Sequence, residues 1–261
     1  MTFSVDQALI EFLVSTAKKA GNAIMEIFDS KFVVRVKDDN TPVTEADERA
    51  EEIIQRALKK RTPDIPFIGE EAYVAGYRPD ISGGLFWLVD ALDGTKEFIQ
   101  RRSEFTVNIA LVENGSPILG VVHAPAKQTT YWGSSKGAYF EDEGGNQSVI
   151  KTRTPNNNGI TVVMSRSHRA GESDYLKNFY VKETVNSGSS LKFCLVAAGQ
   201  ADLYPRLGPT SEWDTAAGHA ILLFAGGEMT QLDDKPFIYG KKNIQNPFFV
   251  ARGQPRVVKE D

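Results

Sequence analysis

Asp47, Glu70, Asp90, Asp93 and Asp214 are the charged side chains of this 261-residue chain whose settings look least like a solvated surface. Asp47 comes just inside a predicted helix and Glu70 directly after a short apolar run; Asp90 and Asp93 flank a strand-to-helix turn, and Asp214 stands at a helix start. Asp90 and Asp93 can face one point from such a turn, and Glu70 ends a strand able to lie alongside. An oxygen-only cluster suits Mg2+, which takes a few carboxylates, waters and substrate phosphate. One cysteine and three histidines leave no material for a multi-cysteine or His-rich metal site. Gly94 and Thr95 open a helix beside these acids and offer an anion backbone N–H groups and a positive dipole end. Metal-binding acids next to an anion site are what phosphate-ester hydrolysis needs, because metal ions neutralise phosphoryl oxygens, acidify water and stabilise the leaving oxygen.

Each acid also has a plainer explanation. Asp47 and Asp214 satisfy the capping and dipole preferences of helix starts, and Glu70 with Glu71 reads equally as a solvated turn. Asp90 differs, since Trp87, Leu88 and Val89 before it imply burial and a buried carboxylate needs a partner.

The elements that must position these residues follow from the pattern of the chain. MTFSVDQALIEFLVSTAKKAG reads as an amphipathic helix with Ala8, Phe12 and Ile24 among its apolar positions. KFVVRVKDDNTPVT is a short β-rich run passing into a polar loop; TEADERAEEIIQRALKKR has helical spacing, with Thr44 and Asp47 as a capping pair. LFWLVD is a buried-strand pattern ending on Asp90, Leu92 to Gly94 turn, and TKEFIQRR is a candidate helix. FTVNIALV, ILGVVHAP, TTYWG and AYFED are apolar runs between Gly-containing turns, the pattern of an antiparallel meander. Polar, turn-rich sequence predicts a boundary near residues 141 to 159, dividing an α+β half (1–150) from an α/β half (151–261). In the second half ITVVMS, YLKNFY, ETVNS, SLKFCLVAAG, ADLYP and DTAAGHAILLFAG alternate strand and helix. Cys194 lies on the apolar stripe of one of these helices and reads as core packing. QPRVVKED reads as a loose tail.

Composition bounds the function class. The chain is 41% hydrophobic and 25% charged, which is ordinary for a soluble globular protein. A net charge of −4 does not attract nucleic acid polymers or anionic membranes as a whole. No apolar run of about 18 residues could cross a membrane. The amino terminus lacks the cationic, apolar and small-residue succession of a secretory leader, so the expected compartment is the cytoplasm.

WLVDALDGTKEFI resembles the W-x-x-D-P-L-D-G-T-x-x-F signature of the inositol monophosphatase superfamily, and EWDTAAGHAIL its second signature, W-D-x-A-A-G. KDDNTPVTEAD and GEE match two upstream elements in the expected order. Ala91 stands where the first signature has proline, which removes a stiffening ring and leaves the ligands untouched. Within the superfamily, DGTKEFIQRRSEFTVNIALVENGSPILGVVHAPA, SRSHR and GSSLKFCLVAAGQADLYPRLGPTSEWDTAAGH resemble the bacterial CysQ group of 3′(2′),5′-bisphosphate nucleotidases.

The resemblance implies a layered α/β/α/β/α sandwich with metals at the junction of its halves. It implies that Glu70, Asp90, Asp93, Asp214 and the carbonyl of Leu92 bind two or three Mg2+ ions. It also implies that Thr95, held by Asp47, orients and helps deprotonate the attacking water, and that Asp93 with the N–H groups of Gly94 and Thr95 receives the scissile phosphate. The implied reaction takes adenosine 3′,5′-bisphosphate to AMP and phosphate in sulfate assimilation, with 3′-phosphoadenylyl sulfate a further candidate substrate. A second phosphate calls for groups beyond the metals: Lys192 and Arg206 are the candidates, with Gly188 and Ser189 beside them and Ser165 and His168 near the sugar or base. Plainer readings make Lys192 an exposed helix residue, Arg206 a surface charge and His168 structural. An inositol or sugar phosphatase would use the same metal cluster, and a binding protein on the same fold is the alternative of another class. A homodimer is left open.

Overall fold

A computed structural model describes residues 3–36, 42–155, 158–165, 171–177 and 179–253. The chain begins with α1 (Gln7–Phe28), a small ribbon of β1 (Val34–Val36) and β2 (Pro42–Thr44), and α2 (Glu45–Arg61). β3 (Phe67–Gly69), α3 (Glu70–Val74), β4 (Leu85–Asp93) and α4 (Thr95–Ile99) follow. The predicted meander is β5 (Thr106–Glu113), β6 (Ser116–Ala124), β7 (Thr129–Ser134) and β8 (Gly137–Glu141), and β9 (Gln147–Val149) adds a strand in the stretch read as a polar boundary. β3 to β9 form one seven-stranded sheet in sequence order, with β3 parallel to β4 and every later pairing antiparallel.

The remaining elements are β10 (Ile160–Met164), α5 (Glu172–Leu176), β11 (Val181–Asn186), α6 (Leu191–Ala197), β12 (Leu203–Arg206), α7 (Glu212–Phe224), β13 (Glu228–Gln231) and β14 (Phe249–Arg252). Their strands build a five-stranded sheet in the order β11-β10-β12-β14-β13.

Alternation along the central strands sends side chains into two cores. Trp87, Val89, Ile109 and Leu111 pack with Leu13, Ile24, Ile54 and Leu58 of α1 and α2. Phe86, Leu88, Ala110 and Val112 pack with α6, α7 and the inner face of the second sheet. On that sheet's outer face Ile160, Val162 and Leu203 meet Tyr175 and Leu176 of α5. The layers therefore run helix, sheet, helix, sheet, helix, as the family resemblance implied. Helix α7 lies so close to the first sheet that a Cβ on Gly120 would sit 2.4 Å from the carbonyl oxygen of Ala217. No described helix is long and apolar enough to span a membrane.

Several elements differ from expectation. The helix predicted over TKEFIQRR is the single turn α4, because Arg101 takes a positive φ of 57° and ends it. LFWLVD does not stop at Asp90: β4 continues to Asp93 through a bulge. Of the predicted helix YLKNFY only Tyr175 and Leu176 are helical among the described residues, as the end of α5 (Glu172–Leu176). The tail QPRVVKED, residues 254–261, lies outside the described residues.

Candidate active site

Three local devices bring the acids together. Parallel pairing of β3 with β4 sets Gly69 beside Val89, so the next residues, Glu70 and Asp90, follow side by side where that pairing ends. The second device is the bulge: Asp90 pairs with Asn108 and Asp93 with Thr106, three steps on β4 against two on β5. In a regular strand residues 90 and 93 would face opposite sides; the extra residue turns both toward the inner face, where Phe86 and Leu88 also point. Third, a capping box at the start of α7 fixes Asp214, whose Oδ2 accepts the Ser211 N–H at 2.8 Å.

Carboxylate oxygens of Glu70, Asp90 and Asp214 consequently lie within 4.8 Å of one another, Asp90 buried and the other two partly exposed. Burial, then the negative charges of Glu70, Asp93 and Asp214, hold the Asp90 carboxyl well above its ordinary range against one N–H bond from Leu92. Burial and the charges of Asp93 and Glu70 do the same to Asp214, opposed by the Ser211 bond and by Arg206. Like charges this close and this buried are costly without a counter-charge. An oxygen-only donor set of this kind fits a hard dication.

Asp93 stands just outside the three-acid group. Its Oδ2 accepts from Ser190 Oγ at 2.9 Å and Asn108 Nδ2 at 3.4 Å. Ser190 Oγ also lies 2.8 Å from the backbone oxygen of Asp214, so it links acids carried by β4 and α7.

Thr44 caps α2 as its sequence suggested, and Asp47 bonds both to that cap and to Thr95. Asp47 Oδ2 accepts the backbone N–H and the hydroxyl of Thr44, each at 2.8 Å. Its Oδ1 accepts the hydroxyl of Thr95 at 3.0 Å, and that hydroxyl is 3.3 Å from the Leu92 carbonyl. Burial raises the Asp47 carboxyl above its ordinary range while its bonds to Thr44 and Thr95 oppose the shift. Gly94 has φ 97°, and a Cβ there would meet the Glu104 carbonyl oxygen at 3.1 Å, so both conformation and space call for glycine.

One cleft is bordered by Asp93, Gly94 and Asp214 on one side and by Ser165, Gly188, Ser189, Lys192 and Arg206 on the other, with Tyr204 in its wall. Lys192 is buried at 4% exposure rather than solvated on a helix face. Its Nζ donates to the carbonyls of Ser189 at 2.6 Å and Ser187 at 3.4 Å, and burial lowers its pKa to about 8. Arg206 is also buried, its Nη2 donating to the Pro209 carbonyl at 3.0 Å while Nε has no partner among the described residues. His168 lies outside the described residues.

Glu51, Asn108 and Ser190 went unremarked in the sequence. Glu51 had a signal, a carboxylate in the buried stripe Ala46, Ala50, Ile54 and Leu58 of α2. Ser190 and Asn108 had none, since their relevance depends on the meeting of two distant segments.

A model of the inositol monophosphatase family matches residues 6–251. The chain is 44% identical over 245 residues to the 3′(2′),5′-bisphosphate nucleotidase CysQ of Escherichia coli K12, covering 92% of this chain and 98% of that protein. It is 32% identical to the protein of the same name from Haemophilus influenzae, over 96% of this chain and 94% of that one. Among solved structures, CysQ from Bacteroides thetaiotaomicron superposes with a TM-score of 0.80 at 35% identity, over 96% of this chain and 98% of that chain. An IMPase from Thermotoga maritima gives 0.78 at 26% identity, covering 94% and 92%.

Proposed function

This chain belongs to the inositol monophosphatase family, and from that premise we propose that it is an Mg2+-dependent 3′(2′),5′-bisphosphate nucleotidase that converts adenosine 3′,5′-bisphosphate to AMP and phosphate. The reading places it in the cytoplasm, serving sulfate assimilation and nucleotide recycling; 3′-phosphoadenylyl sulfate carries the same 3′-phosphate and is a second candidate substrate. The observation that carries the proposal is one cleft lined by Asp93 and by Asp214, a member of the carboxylate cluster, together with two buried cations, Lys192 and Arg206. A monophosphate would use the first alone; a bisphosphate has a group for each. The Nε donor of Arg206, unmet among the described residues, supports an anion beside it.

Glu70, Asp90, Asp93, Asp214 and the Leu92 carbonyl would hold the metal, which when bound supplies neutralising charge to the phosphoryl oxygens and makes water more acidic. Thr95 donates its hydroxyl hydrogen to Asp47, leaving oxygen lone pairs to accept a proton from the attacking water. Asp47 thereby orients the hydroxyl and takes up the Thr95 proton as the proton of the water passes to the threonine oxygen. The N–H groups of Gly94 and Thr95 hold the scissile phosphate. Lys192 and Arg206 hold the other phosphate, Gly188 and Ser189 form the loop between, and Ser165 faces the nucleoside.

Phosphate release from adenosine 3′,5′-bisphosphate, inositol 1-phosphate and fructose 1,6-bisphosphate, with and without Mg2+, tests the proposal. The nucleotide should have the highest kcat/KM. Preference for inositol 1-phosphate or the sugar bisphosphate would transfer the site to that substrate, and binding without turnover would make the chain a binding protein.

A further inference from the structure

We propose that Glu51 is a positioning residue for Glu70, holding the turn that carries this acid; the inference rests on the reading of Glu70 as a dication ligand. Helix α3 begins at Glu70, and its N-cap, Gly69, has no side chain to accept the N–H groups of the first turn. Glu51, on α2, accepts them instead: Oε2 takes the Glu71 N–H and Oε1 the Ala72 N–H, each at 2.8 Å. Both carboxylate oxygens are engaged, and the side chain is only 5% exposed. Burial raises the Glu51 carboxyl to about 7 against these two bonds; ionised above that pH, it accepts more strongly than a neutral group and fixes direction as well as distance.

Gly69 belongs to the same device. Its φ of −105° suits any residue, so the backbone does not demand glycine. Space does: a Cβ would lie 2.5 to 2.7 Å from the carboxyl atoms of Glu51. The glycine lets the carboxylate close on the turn from behind while Glu70 projects from it.

α3 has five residues, too few to be a stable helix by itself, so two bonds spent on it secure placement rather than helix content. Glu51 follows Asp47 by one helical turn on the buried face of α2. One face of α2 thus presents two carboxylates, the first to Thr95 and the second to the backbone beside Glu70. Groups that orient metal ligands without touching the metal typically change affinity about ten- to hundred-fold when removed.

The test is Mn2+ binding to the metal-stripped, full-length protein without substrate, followed by the electron paramagnetic resonance of free Mn2+. Glu51→Gln places an NH2 group against one of the two backbone N–H groups, and the Mn2+ dissociation constant should rise about tenfold or more. Gly69→Ala keeps the Glu51 carboxyl but displaces it, and should weaken binding similarly; it also serves if Glu51→Gln does not fold. In a Glu51→Ala background, where the obstructing carboxyl is gone, Gly69→Ala should add almost nothing. Wild-type affinity in the folded fraction of both single variants would overturn the proposal. Failure of the wild type to bind Mn2+ would instead overturn the dication reading beneath it.

Discussion

Thr95 and Asp47, 48 positions apart in the chain, meet through a 3.0 Å hydrogen bond from the threonine hydroxyl to Oδ1, while the other oxygen of the same carboxylate closes the cap of α2. The start of α2 and the Thr95 hydroxyl are therefore locked to one side chain. Thr95→Ala keeps the backbone N–H groups and removes the hydroxyl, so kcat should fall about a hundredfold or more with little change in KM, while Thr95→Ser retains most turnover. Asp47→Asn has one acceptor oxygen for two tasks and should lose both turnover and some thermal stability. Steady-state kinetics beside thermal melts check this; preserved kcat with raised KM in Thr95→Ala would make Thr95 a substrate contact alone.

Asp90 predicts a stability effect whose direction depends on metal and pH. Its carboxyl is raised in the folded protein by burial and by neighbouring acids. An acid raised on folding favours the folded state at low pH and loses that contribution as pH rises through its folded value. Asp90→Asn cannot titrate, so without metal it should melt a few degrees above the wild type at pH 8, with the gap closing toward pH 4. Added Mg2+ should raise the wild-type melting temperature and leave the variant nearly unmoved. Equal responses of both proteins would show that Asp90 is not a ligand.

The fold and the acids were legible in the sequence to different depths. Strand alternation in FTVNIALV and ILGVVHAP, and helical spacing in TEADERAEEIIQRALKKR, depend on neighbours in the chain and correspond to β5, β6 and α2. Their settings in the chain singled out Glu70, Asp90 and Asp214, motif resemblance implied their role as ligands, and the structure brings these three together. What stayed hidden depends on contacts between distant segments. The bulge that turns Asp93 inward is visible only against β5, and Ser190 matters only because α6 meets both β4 and α7. Lys192 reads as exposed from its helix alone, yet packing around Tyr204 buries it, its Nζ 5.4 Å from that ring.

Arg206→Ala should raise KM for adenosine 3′,5′-bisphosphate about tenfold or more, since a charge-assisted contact contributes about 1.5 to 3 kcal/mol. Hydrolysis of a small monophosphate should hardly change. Arg206→Lys should rescue only in part, because an ammonium lacks the planar two-pronged grip. Equal losses on both substrates would assign Arg206 to the metal site or the fold.

Lys192 permits a test by pH. Burial lowers its pKa to about 8, and a neutral amine can still donate to the Ser187 and Ser189 carbonyls. Raising pH through 8 therefore removes the charge and keeps the anchor. KM for the bisphosphate should climb between pH 7 and about pH 9 while KM for a monophosphate does not. Parallel pH profiles for both substrates would leave Lys192 with only its anchoring role.

The central claim, removal of the 3′-phosphate at the carboxylate cluster, is tested most directly by following adenosine 3′,5′-bisphosphate with 31P NMR. With Mg2+, the 3′ resonance should vanish as inorganic phosphate appears in equal amount, the 5′ resonance should persist as that of 5′-AMP, and Asp93→Asn protein should give almost no product. Formation of 3′-AMP, turnover without a dication, or undiminished turnover by Asp93→Asn would contradict the account.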